Sequence, residues 1–330
     1  MADAFAQRFG PRVRELLVSR GGHPLPDAES FAAGARALQL ADENKARGET
    51  LVVLLSGGAS AMLAAPAPGV TLADKIALTR ELLRSGMPIA EMNAARKRMS
   101  AIKGGRLANR AGRSVTFAIS DVHAPIEDDP AVIGSGPTVG DYPIADATFV
   151  LIGSRRDAMD GAARAARRLG YAVTVIQPPT LGEAREAARA FFASSPVASV
   201  VASGFSRKKI CVIASGETTV TLGGSDGLGG RNQEFALAGA MSMARVDGVA
   251  LASIGTDGVD GPTSAAGAIA DGTTIPRAQA LGLDASVALA RHDSHPFFQA
   301  LGDLVMTGPT GTNVGDLQVF IAGSSLSPRP

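Results

Sequence analysis

One cysteine and no tryptophan in 330 residues set the first limits. Cys211 stands alone, which excludes an intrachain disulfide framework and any multi-cysteine zinc site. Aromatic residues make up 4% of the chain, so aromatic stacking does not dominate its binding. An excess of one charge sign is missing too. Lys plus Arg is 32 and Asp plus Glu is 31, a net charge of +1, whereas a nucleic-acid backbone or an anionic membrane surface demands a basic excess. No uninterrupted apolar run approaches the ~18 residues of a membrane span. The opening Met1–Gly10 lacks the apolar core and cleavage region of a signal peptide. The expectation is a cytoplasmic protein with neither nucleic acid nor membrane as partner. At ~100–200 residues per domain, the length allows two ordinary domains. What the chain has in quantity is glycine, 39 residues of it, and the glycines cluster.

Apolar runs of strand length alternate with helical patterns. The runs predict strands at Val13–Ser19, Leu51–Ser56, Ser114–Ser120, Thr148–Gly153, Ala172–Gln177, Ile210–Ala214, Thr218–Leu222, Val249–Ile254 and Gln318–Ile321. Several are continuous Val/Leu/Ile stretches, as strands buried on both faces are. Thr71-Leu-Ala-Asp74 reads as a capping box opening a helix that Gly86 ends. Further helices are predicted over Gly161–Leu169, Gly182–Phe192, Met92–Lys103 and from Phe235 onward. This alternation predicts α/β architecture with mostly parallel sheet. Around Ser194–Lys209 the pattern loosens into a Ser-rich stretch with Arg207, Lys208 and Lys209 together, read as a solvated linker. The expected domains are therefore 1–205 and 206–330.

Five segments put Gly, Ser or Thr where one element ends and another begins. They are Ser56-Gly57-Gly58-Ala59-Ser60, Gly134-Ser135-Gly136-Pro137-Thr138, Ser215-Gly216-Glu217-Thr218-Thr219, Gly223 to Glu234, and Thr307 to Asn313 with Thr310. Glycines let backbone N–H groups approach an anion, and a helix N-terminus adds partial positive charge. Taken singly, each loop reads as a tight turn that uses glycine for its positive φ. Five on one chain point instead to a phosphate or nucleotide ligand. The fourth is the best single case, because it delivers Arg231, followed by Asn232, at a predicted helix start. Neither G-x-x-x-x-G-K-[ST] nor G-x-G-x-x-G occurs, so the P-loop and the usual dinucleotide fingerprint are excluded.

Charged candidates are fewer. Asp257 and Asp260 follow the strand Val249–Ile254 and suit Mg²⁺, which takes one or two carboxylates plus substrate phosphates; Asp-Gly is equally a common turn dipeptide. Asp121, at another strand end, carries the same two readings. On the predicted helix Met92–Lys103, Arg96 and Lys103 are seven apart and share a face, either an anion-binding face or a solvated one. His23, His123, His292 and His295 form no metal-binding pair and read as surface or capping residues. Ser60 sits in half of a nucleophile elbow, with Met62 where the second glycine belongs, so a hydrolase is the minor reading.

Ten stretches then carry a resemblance. Among them are GGHPLPD (Gly21–Asp27), LLSGGASAMLAAPAPG (Leu54–Gly69), NAARKRMSAIKGGRLA (Asn93–Ala108), DDPAVIGSGPTVGD (Asp128–Asp141), ASGETTVTL (Ala214–Leu222), GGRNQEFAL (Gly229–Leu237), GTDGVDGPTSAAGAIADG (Gly255–Gly272) and TGPTGTNVGDL (Thr307–Leu317). In order across nearly the whole chain, they resemble the glycerate 2-kinase family, a DUF4147 domain followed by a MOFRL domain. The resemblance implies a Rossmann-like, mostly parallel three-layer first domain and a smaller α/β second domain with a mixed sheet. It also implies ATP-dependent phosphorylation of D-glycerate to 2-phosphoglycerate with Mg²⁺, in a cleft between the domains, and is compatible with a homodimer.

The residue readings fit this resemblance and make Arg231, which matches the family's GGRNQE motif, Lys103 and Asp257 catalytic candidates. They give Asp257 and Asp260 to the metal. Substrate and phosphate contacts fall to Ser56, Gly57, Gly58, Ser60, Arg96, Ser135, Gly136, Thr138, Ser215, Gly216, Glu217, Thr218, Asn232, Thr310 and Asn313. This chain departs from the family at Ala59, at Ser154-Arg155, and at its front, where the family's opening strand and Gly-x-Gly-Lys loop are not found. A truncated, catalytically impaired member that only binds ligand is therefore an alternative. Hydroxypyruvate reductase, a label borne by some members, is a third.

Overall fold

The computed structural model describes all residues except 23, 85–88, 141–143, 204–207 and 324–330. Contacts divide the chain into two units, Met1–Ser154 and Arg155–Pro330. The first contains helices α1 (Ala2–Phe9), α2 (Ala28–Arg47), α3 (Ala59–Met62), α4 (Leu72–Arg84), α5 (Ile89–Arg98) and α6 (Arg106–Ala111), with strands β1 (Leu51–Leu55), β2 (Ser114–Ile119) and β3 (Ala147–Gly153). The second contains α7 (Arg155–Arg168), α8 (Ala184–Ala193), α9 (Ser195–Ser203), α10 (Arg231–Ser242), α11 (Thr274–Ala280), α12 (Ala285–Ala290) and α13 (Ser294–Leu301). Its strands are β4 (Ala172–Val175), β5 (Thr180–Glu183), β6 (Ile210–Thr219), β7 (Val249–Gly255), β8 (Gly267–Asp271), β9 (Leu304–Val305) and β10 (Asp316–Ala322).

In the first unit β1, β2 and β3 form a parallel sheet in that order. Helix α2 begins at a capping box in which the Asp27 carboxylate accepts the Ser30 amide at 2.8 Å, and it ends at Gly48 in the left-handed conformation. Its Ala37 and Ala41 pack with Leu107 and Ala111 of α6 over Leu51 and Val53 of β1. The predicted strand Val13–Ser19 is not one: these residues run without ladder partners, Leu17 packing on the α2–α6 cluster and Ser19 Oγ donating to the Met62 carbonyl at 2.5 Å.

The second unit is built on a seven-stranded mixed sheet, ordered β4-β6-β10-β7-β8-β9, with β5 also on β6. The strands β4 and β5 run parallel to β6, whereas β10 is antiparallel to both β6 and β7. On one face, Phe191 and Phe192 of α8 meet Phe235 of α10 and Phe320 of β10 edge-on, at centroid distances of 5.9 Å for both the Phe191–Phe235 and Phe192–Phe320 pairs. On the other, Met159, Ala163 and Ala166 of α7 cover Cys211, Ile213 and Val319. Burial there pushes the Cys211 thiol up to about 11.

Three sequence expectations differ from the structure here. The compact division falls at Ser154/Arg155 rather than at 205/206, and makes the second unit the longer one, because α7, β4, β5 and α8 pack on the second sheet. In the stretch read as a linker, Ser195–Ser203 form α9; Arg207 lies outside the described residues, as does Gly86, the expected end of another helix. The segment Ser215–Thr219, read as a loop, is the second half of the continuous strand β6. Gly216 is there for backbone proximity: a Cβ on it would stand 2.1 Å from the Thr180 carbonyl oxygen of β5.

The four-phenylalanine contact makes a stability prediction. Replacing Phe320, fully buried, with alanine is expected to destabilise the second unit by about 3–5 kcal/mol, read as a shift of its urea unfolding midpoint.

Candidate functional site

Two polar clusters gather the sequence candidates, one in each unit. In the first unit, β1 ends in Ser56-Gly57-Gly58 and turns directly into α3, so Ser60 lies in the first turn after the strand. Asp121, at the end of β2, lies so close that a Cβ on Gly57 would sit 2.2 Å from its Oδ2. Gly134, Ser135 and Gly136 all have positive φ, of 58, 62 and 61°. For Ser135, a side-chain-bearing residue, that conformation is uncommon and is held by its surroundings.

The side chains join in a chain. Ser135 Oγ donates to Asn93 Oδ1 at 3.0 Å and lies 2.9 Å from Ser60 Oγ. Lys103 Nζ reaches Ser60 Oγ at 2.7 Å and the Ser60 carbonyl at 2.8 Å. The Nδ2 of Asn93 is buried and has no hydrogen-bond partner among the described residues. Lys103 is not on a helix with Arg96, as its spacing predicted. Helix α5 ends at Arg98, and Met99–Gly105 is a turn organised by Ser100, whose Oγ accepts the Ile102 and Lys103 amides at 3.2 Å each. Lys75, from α4, donates to the Met99 carbonyl of that turn at 3.3 Å.

The electrostatics of this cluster are one-sided. Lys75, Arg96 and Lys103 are all wholly or substantially buried, and among the described residues no carboxylate pairs with any of them. Burial, aided by Arg96, pushes Lys75 down to about 8, and burial lowers Arg96 as well. Burial first, then Lys75 and Arg96, push Lys103 well below the ordinary lysine range. Desolvated cations that repel one another are stabilised by an arriving anion, so the arrangement is chemically an anion site. Thr138, placed among the phosphate contacts by sequence, is instead buried, its Oγ1 accepting from Thr116 Oγ1 at 2.6 Å. Lys75 and Asn93 were not legible from sequence, because nothing in their local spacing marks them.

The second cluster stands at the N-terminus of α10 and the start of β10. Arg231 Nε donates to both oxygens of Asp316, at 3.0 and 2.8 Å, and its Nη1 lies 3.1 Å from Glu217. Burial works against the charge on Arg231, but Asp316, Glu217 and Asp260 more than offset it and hold the guanidinium charged. Asp316 is opposite Gly216 on β6 and Gly255 on β7. It also accepts from Asn232 Nδ2 at 2.8 Å, and Asn232 Oδ1 accepts from Ser253 Oγ at 2.7 Å. Ser215 Oγ donates to the Asp316 carbonyl at 2.6 Å, and the Thr218 amide lies 3.4 Å from Asp316 Oδ2. Sequence reasoning missed Asp316, although the motif ending in Gly315-Asp316-Leu317 contains it.

Asp260 does not fit the metal role given to it. Helix α10 has Gly230 at its N-cap and no capping side chain of its own. Asp260 supplies the cap from outside: it accepts the Asn232 amide at 3.0 Å, the Gln233 amide at 2.9 Å, Gln233 Nε2 at 2.9 Å and Asn232 Nδ2 at 3.3 Å. Gly230 leaves room for it, since a Cβ there would stand 2.2 Å from the Asp260 carboxyl carbon. With both oxygens engaged, Asp260 cannot pair with Asp257 to hold Mg²⁺ without uncapping the helix. Asp257 Oδ1 accepts the Val259 amide at 3.0 Å. Among the described residues no group of three or more His, Cys, Asp or Glu side chains is placed to hold a metal ion.

Thr310 and Asn313 hold their own loop, Thr310 donating through Oγ1 to the Thr256 carbonyl at 2.5 Å and Asn313 Oδ1 accepting the Gly315 amide at 3.0 Å. The histidines are more engaged than a surface reading allows. His292 Nδ1 lies 2.8 Å from Glu234 Oε2, Arg185 binds the other Glu234 oxygen at 2.9–3.0 Å, and His295 Nδ1 lies 2.9 Å from Gln233 Oε1. His23 lies outside the described residues.

The capping role makes a prediction. Asp260→Ala leaves buried amides without an acceptor and is expected to cost at least about 2 kcal/mol in the second unit, measured by urea unfolding. Added Mg²⁺ is expected to leave that loss unchanged, and Asp260→Asn, which keeps one acceptor oxygen, to lose less.

Comparison with known proteins places this chain in a family. The model for "Domain of unknown function (DUF4147)" matches residues 5–168, and that for the MOFRL family matches residues 210–316. The D-glycerate 2-kinase of Thermotoga maritima is 37% identical, over 93% of this chain and 80% of that protein. An Agrobacterium vitis protein bearing the name "Putative hydroxypyruvate reductase" is also 37% identical, over 98% of this chain and 93% of its own. The crystal structure of glycerate kinase from Thermotoga maritima superposes with a TM-score of 0.87 at 34% identity, covering 98% of this chain and 88% of that one. No helix among the described residues is long and apolar enough to cross a membrane. By its two domains, its relatives and its fold, this chain belongs to the glycerate 2-kinase family.

Proposed function

We propose that this protein is a glycerate kinase that transfers the terminal phosphoryl group of ATP to D-glycerate, giving 2-phosphoglycerate. The observation that carries the reading is the set of buried cations Lys75, Arg96 and Lys103 beside Ser60, Ser135 and Asn93, with no carboxylate among the described residues to balance them. A hydroxy acid brings the missing negative charge in its carboxylate and places its hydroxyl among the serines. Backbone groups of Ser56, Gly57 and Gly58 add donors, whereas the Ser135 and Gly136 amides already serve the Val132 and Ile133 carbonyls.

Arg231 has the second role. Phosphoryl transfer asks for positioning and for cations that meet charge spreading over the transferring group. Asp316 orients the guanidinium through Nε. Its other partner, Glu217, is exposed enough to give way to a phosphate. The glycine-rich segment before Arg231 and the Thr310–Asn313 loop are assigned to the nucleotide, with Asp257 nearby. Mg²⁺ is assigned to the nucleotide phosphates as part of that substrate, since the Asp257–Asp260 pair does not fit it as a resident ion. The expected compartment is the cytoplasm. Reduction of hydroxypyruvate, the activity in the Agrobacterium vitis relative's name, would need a nicotinamide site, and the fingerprint for one is absent from the sequence.

Two measurements check the reading. An assay coupling ADP release to D-glycerate is expected to show turnover that depends on both substrates, with the 2-phosphate as the product by NMR. Arg231→Ala is expected to lower kcat by at least about 10²-fold. Arg231→Lys, which keeps a cation against Asp316, controls for folding, and wild-type kcat in the alanine variant would sink the arginine's role.

A further inference from the structure

The basic pocket contains a feature that holding an anion does not require. Lys103 Nζ has three oxygen neighbours: the Ser60 carbonyl at 2.8 Å, the Gly134 carbonyl at 3.5 Å and Ser60 Oγ at 2.7 Å. The carbonyls can only accept, so they direct two amine hydrogens. The third direction faces a hydroxyl, which can donate as well as accept. Ser60 has one hydrogen and two partners for it, Ser135 Oγ and Lys103 Nζ. Ser135 spends its own hydrogen on Asn93 Oδ1, so it can only accept from Ser60. The contacts therefore suit two states. In one, an ammonium donates to Ser60, which donates to Ser135. In the other, a neutral amine accepts from Ser60.

The surroundings favour the second state. Lys103 is 2% exposed. From α4 it faces Lys75 and from α5 Arg96, and these together with burial lower its proton affinity. The remaining charged groups do not reverse this. Lys97 lays its stem on Gly104, and Arg106 caps the Lys97, Ser100 and Lys103 carbonyls at 2.5, 2.9 and 3.2 Å. Asp121 lies against Gly57 and is not among the causes of the Lys103 shift.

We propose that Lys103 is the proton acceptor of the transfer reaction and that Ser60 relays the proton to it from the hydroxyl of the acceptor substrate. This rests on the kinase reading and deepens it at the same site, because it gives Lys103 the work of a base in place of a fixed cation. In the step, the substrate oxygen attacks the terminal phosphorus of the nucleotide. Its hydrogen passes to Ser60 Oγ as the Ser60 hydrogen passes to Lys103 Nζ. The bond from phosphorus to the bridging oxygen breaks, and the nucleoside diphosphate leaves with that electron pair. Lys103 becomes an ammonium as a phosphate monoester forms beside it, and it returns the proton to solvent after release. Asn93 is a positioning residue: by accepting from Ser135, it fixes that hydroxyl beside Ser60.

The test follows kcat and KM with D-glycerate and ATP from mildly acidic to alkaline pH. A base works unprotonated, so the wild-type rate is expected to rise with pH and then level. Lys103→Arg places a permanent cation there, which cannot take the proton. It is expected to lower kcat by about 10²–10⁴-fold and abolish the rise, with a much smaller change in KM for glycerate. Ser60→Ala is expected to follow it, and Ser60→Thr to recover activity. Wild-type kcat and pH profile in Lys103→Arg would overturn the proposal. NMR titration of the lysine side chains of the unliganded protein separates this from the kinase reading, the signal absent in Lys103→Arg identifying Lys103. Titration together with the surface lysines overturns the relay whether or not glycerate is turned over. Deprotonation at lower pH in a protein that ignores glycerate supports the Lys103–Ser60 pair and overturns only the choice of substrate.

Discussion

Charge taken out of water must be met by charge, and the two units answer that constraint in opposite ways. In the second unit every buried carboxylate at the head of α10 has its donors. Asp316 is held by Arg231 and Asn232, Asp260 by two amides and two side-chain amides, and Glu234 by Arg185 and His292. In the first unit the basic side chains of Lys75, Arg96 and Lys103 share a desolvated region in which, among the described residues, no carboxylate pairs with them, and the serines around Ser60 are arranged beside Lys103. A satisfied network is rigid and suits the task of aiming one arginine. An unsatisfied one suits a ligand that brings the balancing charge with it.

The same contrast explains how the glycines are used. Near Ser135 they let the backbone turn through three successive positive-φ residues and present its hydroxyl toward Ser60. At Gly230 and Gly216 the absence of a side chain is the point. One leaves space for the Asp260 carboxylate against the helix end, and the other lets β5 lie close along β6. A phosphate-loop reading of every glycine cluster merges these two uses, and only the first places donors beside the basic pocket.

Much of the fold was legible because the strands that organise it are largely apolar runs of strand length, rich in Val, Leu, Ile and Phe: β1, β2, β3, the first half of β6, β7 and β10. The strands β5 (Thr-Leu-Gly-Glu) and β8 (Gly-Ala-Ile-Ala-Asp) were not, since glycine and alanine carry little strand signal and pairing alone makes them strands. The second half of β6 looked like a loop for the same reason. Helix α5 was drawn too long because no breaker precedes Gly104, and the turn that ends it is set by Ser100 and by contacts from α4. Within the site, Arg231 was legible from a glycine-rich approach to a helix start. Its partner Asp316 was not, because the two are 85 residues apart, and Asp260 was misassigned because Asp-Gly suits a turn, a metal and a distant cap alike.

Capping α10 from 28 residues downstream has a consequence for how the chain acquires its structure. The first turn of that helix cannot be completed by local residues as the chain collapses. It waits for β7 to form and for the turn after it to swing Asp260 back onto the Asn232 and Gln233 amides. The loop-closure entropy of that excursion is met only by contacts made together. Arg231 is therefore aimed late, in the same cooperative event that seats β7 beside β10, and a nascent chain that has not yet made β7 holds its arginine on an unfinished, fraying helix end.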